Sequence, residues 1–179
     1  MKLIAYAIAA SALLFTGLKT SAQEISKAEL QVNGLTCSMC SRATETSLKS
    51  LSFIEDITPD LNRNVFVINF KKDQDVNLDQ IKNKVQDAGF SIGDLSATIH
   101  FNQTAIDEKG LAQLDGTVFR IVNAKSKTLN GPVVVKVLDK DFISSSAFRK
   151  KAAQLKVDSY ATGKEVIQGK ETRVYHLSI

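Results

Sequence analysis

Tryptophan is absent from this 179-residue chain, and cysteine, proline and histidine occur only twice each. Two cysteines are too few for a disulfide-stapled scaffold, which in a small exported domain uses four or more. The mature chain must therefore hold itself together with a hydrophobic core. Two histidines, His100 and His176, far apart and without spaced partners, give no histidine-based zinc frame; both are expected on the surface or on strands. No Ser/His/Asp grouping, phosphate loop or paired-carboxylate frame is visible, so no catalytic constellation is expected and the chain is not read as an enzyme. Internal repeats and low-complexity linkers are also absent. Beyond the N-terminus, no segment is long and apolar enough to span a bilayer.

The N-terminus itself is different. Met1-Lys2 is followed by an apolar run, Leu3 to Leu18, and by the short polar exit Lys19-Thr20-Ser21-Ala22. A basic start, an apolar core and a small-residue exit read as a secretory signal peptide, residues 1–22, cut after about Ala22. The alternative is a retained membrane anchor. Export, to the periplasm, would put the remaining thiols where they tend to oxidise. Charge divides the rest of the chain: residues 23–97 hold 8 Lys/Arg against 11 Asp/Glu, and residues 98–179 hold 13 against 8. Two domains are expected, with a boundary at 97/98.

Both cysteines lie in GLTCSMCS, Gly34 to Ser41. Before them, Ala28, Leu30 and Val32 alternate as a half-buried strand over 28–33. After them, Cys40, Thr44, Leu48 and Leu51 keep helical spacing over about 39–51. Residues 53–61 read as an edge strand, since Pro59 is tolerated mainly at an edge, with Ile57, Pro59 and Leu61 on one side. Residues 65–70 suit a central strand. Asn77 and Gln80 form a capping box for a helix whose stripe is Leu78, Ile81, Val85 and Ala88, closed by Gly89. A last strand runs from about Ser91 toward Ile99. The order βαββαβ is the ferredoxin-like arrangement.

This order places Cys37 just before the first helix and Cys40 in its first turn. Unpaired N–H groups and the positive end of the helix dipole favour thiolate there, below the thiol's ordinary pKa of about 8.5. Two thiolates make a soft, anionic site suited to Cu(I), Hg(II), Zn(II) or Cd(II) rather than Mg(II) or Ca(II). They fall short of the four ligands of a closed structural zinc site, so the site can take a metal and release it. A thiol–disulfide oxidoreductase and an inert disulfide use the same spacing and stay open as readings. Met39 reads as a polarizable lip on the loop, and Thr36 as a loop hydroxyl bonded to backbone.

Gly34-Leu35-Thr36-Cys37-Ser38-Met39-Cys40 resembles the G-M-T-C-x-x-C loop of the heavy-metal-associated domain family. That family includes copper chaperones, N-terminal modules of metal-transporting ATPases and the periplasmic mercury-binding protein. Glu45, Pro59-Asp60-Leu61, Asn64-Val65 and Ala88-Gly89-Phe90 extend the likeness over about residues 25–97. The resemblance implies Cys37 and Cys40 as metal ligands, Cu(I) as the favoured ion, and a membrane metal transporter or efflux component as partner to a monomer. The chain departs from the family at Leu35, where Met is usual, and at Ser41, Thr44 and Ser47, where apolar or small residues are usual. Phe90 stands where soluble copper chaperones often carry Lys, which leaves the metal open. The absence of Trp disfavours the oxidoreductase, whose sites often carry one before the first cysteine.

Residues 98–179 resemble no family. Strands are expected over 114–123, 133–138, 157–166 and 172–179, a turn at Asn130-Gly131-Pro132, and one helix over 141–155 with a basic stretch, Arg149-Lys150-Lys151. With a strand near 97–101 the order is βββαββ, that of a small OB-type barrel. The fold class expected for the whole is therefore α+β. The aromatics sit at core-like spacings rather than forming a stacking surface, so nucleic acid is not expected as a partner. The basic residues of this half are solvated faces or a docking surface for a transporter.

Overall fold

The alternation read in the first strand is realised in β1 (Ile25–Asn33), which buries Ala28, Leu30 and Val32 and leaves Lys27, Glu29 and Gln31 half-buried. The structure, a computed structural model, describes residues 25–72 and 74–179; the expected signal peptide lies outside them. No helix among the described residues is long and apolar enough to cross a membrane.

The first half follows the ferredoxin-like order. α1 (Ser38–Lys49), β2 (Ile54–Asp60), β3 (Val65–Phe70), α2 (Leu78–Asp87) and β4 (Ser91–Ile106) succeed β1. The strands line up β2-β3-β1-β4, all antiparallel. Leu48 of α1 and Leu78, Ile81 and Val85 of α2 join Leu30, Ile68 and Leu95 of the strands in one apolar cluster. Each such side chain contributes about 1.5–3 kcal/mol relative to exposure. The polar stripe of α1 is tolerated because fully buried Thr44 donates its hydroxyl to Cys40 O at 3.1 Å. Ser47 Oγ donates to Lys84 O at 2.8 Å and ties the helices together. β2 is an edge strand, as Pro59 required, but only its Ile54 and Ile57 are buried. A register shift between Ile54 and Asp56 lets Ile54 and Ile57, three residues apart, both turn inward, while Pro59 and, beyond the strand, Leu61 are exposed.

β4 is far longer than expected. Its 16 residues run through the 97/98 boundary, pairing with β1 and then with β7 (Lys127–Val137). Between them lie β5 (Leu111–Leu114) and β6 (Thr117–Ile121); α3 (Ser145–Leu155), α4 (Asp158–Thr162), β8 (Lys164–Ile167) and β9 (Lys170–Ser178) complete the chain. One sheet results, ordered β2-β3-β1-β4-β7-β9-β6-β5, with β8 on β9. The second half extends the first sheet, and among the described residues no ladder returns from β5 to close an OB barrel. Apolar side chains of both halves, from Ile81 to Phe142 and Leu177, belong to a single cluster.

Four readings of this half are corrected. The strand expected at 114–123 is a hairpin, since Asp115 and Gly116 both take positive φ and turn the chain in two residues. Asn130-Gly131-Pro132 is no turn but lies within β7, where Gly131 and Gln103 at positive φ accommodate a register shift between the two long strands. The strand expected from 157 is instead the short helix α4, ended by Gly163 at positive φ, followed by β8. The helix expected from 141 begins only at Ser145, and Phe142 and Ile143 are buried before it.

The halves are also joined by charge. Asp79 on α2 accepts from Arg173 Nε (2.8 Å) and Tyr175 Oη (3.1 Å), both on β9, and from Lys82 Nζ (2.9 Å). Arg173 also donates to Asp139 Oδ1 at 3.0 Å. More than ninety residues separate Asp79 from its partners on β9, and no local pattern announces the contact.

Candidate metal centre

The site begins where β1 stops. Gly34 takes φ +90°, a conformation that L side chains rarely adopt, and turns the chain out of the sheet. A Cβ there would meet the Phe90 ring at 3.4 Å. Phe90 is set by the end of α2: Gly89 N–H bonds to Gln86 O at 2.8 Å and Phe90 N–H to Val85 O at 3.1 Å, with Gly89 at positive φ. This is the Schellman ending, and it carries the half-buried ring across to the loop. Leu35 packs partly buried against the core. The Ala88-Gly89-Phe90 segment and the Gly34 loop thus form one contact.

Cys37 is the N-cap of α1. Its backbone is extended (φ −145°, ψ 158°), and its Sγ accepts from Cys40 N–H at 3.2 Å. A sulfur here does what a Ser or Asp oxygen does at an ordinary cap. Both cysteines are free thiols; Cys37 is exposed and Cys40 half-buried. The hydrogen bond from the Cys40 side chain, aided by the Cys40 and Met39 N–H groups, holds the Cys37 thiol below its ordinary range. The reciprocal bond to Cys37, with burial and repulsion between the sulfurs, pushes Cys40 up. Of the two, Cys37 is therefore the readier thiolate. No acidic residue occupies the first turn of α1 to oppose this.

The two cysteines read from sequence as ligands therefore lie together in one exposed loop. Met39 between them is 80% exposed, which suits a lip. Thr36 is exposed, and no hydrogen bond of its hydroxyl is found among the described residues, contrary to the bonded loop hydroxyl expected. No group of three or more His, Cys, Asp or Glu side chains able to hold a metal occurs among them either. Among the described residues, no His, Asp, Glu or further Cys joins the sulfur pair.

The histidines divide. His100 is an exposed strand residue bonded to Ser26 Oγ at 3.0 Å. His176 is fully buried, and it assembles the Ser/His/Asp grouping that the sequence does not show. Its Nε2 lies 3.1 Å from Ser159 Oγ and its Nδ1 3.2 Å from Asp139 Oδ1. The Tyr160 ring stands edge-on at 5.1 Å, and His176 is 0% and Ser159 4% exposed. A leaving group cannot reach Nε2 in that packing; the grouping fastens α4 to β9. Seventeen and thirty-seven residues separate its members, so no motif could reveal it.

Residues 29–91 match the family model of the heavy-metal-associated domain. Among solved structures, the N-terminal domain of a potential copper-translocating P-type ATPase from Bacillus subtilis, in the Cu(I)-loaded state, is 18% identical, over 38% of this chain and 84% of that one, with a TM-score of 0.35. The CopZ metallochaperone is 24% identical over 37% of this chain and 98% of that one, at 0.34. The yeast copper transporter domain Ccc2a is 31% identical over 36% and 88%, at 0.32. No curated protein matches the chain.

Proposed function

We propose, on the premise that residues 29–91 are a heavy-metal-associated domain, that this chain is an exported carrier that binds Cu(I) between Cys37 and Cys40 and passes it to a partner. The observation that carries the reading is the cap itself: a thiolate-prone Cys37 held 3.2 Å from the Cys40 N–H, in a loop open to solvent, with no His, Asp, Glu or further Cys beside it among the described residues. Hg(II), Zn(II) and Cd(II) are softer or borderline ions that the same pair can hold. The role is binding and handover, not catalysis, and the apolar leader supports work in the periplasm.

The transfer follows from the coordination. Cu(I) meets the Cys37 sulfur first, Cys40 loses its proton, and the ion is held by two thiolates. Phe90 and Leu35 stand on the core side of the loop, leaving the solvent side open to a partner's thiolate. That sulfur joins before one of the first two leaves, as an attacking thiolate does in thiol–disulfide exchange. Free metal is never released.

Competition titration with a chromophoric Cu(I) chelator tests this. Cys37→Ser and Cys40→Ser should each abolish tight 1:1 binding while circular dichroism stays native. Unchanged binding in either variant sinks the two-thiolate site, and unfolding of either shows the pair to be structural.

A further inference from the structure

Helix α3 is an anomaly of packing. It has 11 residues and buries none of them. Its aromatic contact is Phe148 stacked on Tyr160 at 4.8 Å. Between the helix and the β4–β7 ribbon lies a cavity of about 590 Å³. Leu138 and Ile143, both buried, with Ala147, give it apolar walls, and Lys136, Lys150 and Lys151 line it. Lys136 is paired with Asp94. Lys150 and Lys151 have no ion pair among the described residues, so the groove carries uncompensated positive charge.

The groove meets the end of the strand that leads into the cysteine loop. Its wall includes Gly93 and Asp94 of β4, at the register shift opposite the end of β1. The Asn33 side chain lies so close over Gly93 that a Cβ there would be 2.6 Å from its Oδ1. Cys37 is four residues beyond Asn33, at most about 14 Å along an extended chain. A protein presenting thiolates to Cys37 and Cys40 would reach the groove in the same encounter.

We infer that this groove is the docking site for an acidic, partly apolar segment of the protein that exchanges metal with the cysteine pair. The inference rests on the metal-carrier reading for the partner's purpose, but the groove's own chemistry selects the segment. Carboxylates would meet Lys150 and Lys151, and apolar side chains would lie against the exposed Ala147 on the groove's apolar side. The charges act over about 8 Å at physiological salt, so they would raise the rate of encounter as well as its lifetime.

The test separates docking from metal. The full chain carrying Cys37→Ser and Cys40→Ser cannot hold Cu(I), and is titrated against a fluorescein-labelled ten-residue peptide of Asp, Glu and Leu, read by anisotropy. Saturable binding is expected, weakened about tenfold by Lys150→Glu with Lys151→Glu. Lys127→Glu, about 30 Å away at the other end of β7, should leave it unchanged. Since α3 buries no side chain, the double reversal should keep its circular dichroism. The proposal is overturned if the peptide does not bind, or if both reversals weaken it equally. It is also overturned if inorganic phosphate or phosphatidylglycerol vesicles, rather than the peptide, bind in a way lost on the double reversal.

Discussion

Replacing Asp79 by Asn should cost about 2 kcal/mol at neutral pH and almost nothing at pH 2. Burial opposes ionisation of this carboxyl, yet the hydrogen bonds of Arg173 and then Lys82, with their charges, outweigh it and hold the pKa at about 2 against the ordinary 3.8. A folded pKa below the unfolded one stabilises the fold fully above about pH 4, and that stabilisation is lost as pH falls toward 2. Nearly two pKa units correspond to about 2.5 kcal/mol. With the Asp79 side chain 29% exposed, solvent screening trims this to about 2 kcal/mol. The larger penalty of about 3–5 kcal/mol for orphaning a buried charge should not arise. Arg173 keeps Asp139 Oδ1 at 3.0 Å, Gly163 O at 3.1 Å and Val174 O at 2.6 Å. The measurement is urea unfolding of both proteins at pH 7, 4 and 2.5. Metal binding should be untouched, because Asp79 lies at the end of α2 away from Phe90. A stability difference that stays constant with pH would refute the electrostatic account, and so would no difference at pH 7.

Leu48→Ala should lower stability by about 3 kcal/mol, because this fully buried side chain anchors α1 and leaves a cavity; a shifted urea midpoint with unchanged slope is the readout. Gly34→Ala should cost about 1–2 kcal/mol, since φ is +90° and the new Cβ meets Phe90. It should also speed Cu(I) loss to a chelator, and unchanged retention would detach the loop's shape from its function. A fragment of residues 23–100 should give a dispersed amide spectrum and bind Cu(I) 1:1, though less stably than the full chain, which adds β7 pairing and the Asp79 clamp. A collapsed spectrum would show that neither half folds without the other.

Much of the metal-binding half was legible because its determinants are local. Alternation in β1, the Asn77 cap and its Gln80 N–H bond at 3.0 Å, and the Gly89 ending each depend on residues a few positions apart. The cysteine pair was legible for the same reason: a helix N-cap and the first turn lie three residues apart, whatever the rest of the chain does. The metal loop's contact with Phe90 joins positions 34 and 90, and needed the family resemblance to be expected at all.

The second half resisted because its elements are decided by partners distant in the chain. Asn130-Gly131-Pro132 has the composition of a turn, but the long β4 holds it in register as strand. Residues 158–162 fall within the stretch expected as strand, but Tyr160 bonds Leu138 O, Ser159 meets His176, and the segment coils to satisfy both. Local sequence therefore determined the thiol pair, its helix and the ferredoxin-like order. Only tertiary structure decided that β4 would carry the sheet across both halves, that His176 would be buried between Asp139 and Ser159, and that α3 would stand off the sheet. Long-range ladders and buried polar networks minimise energy over the whole chain, and no window of neighbouring residues contains that sum.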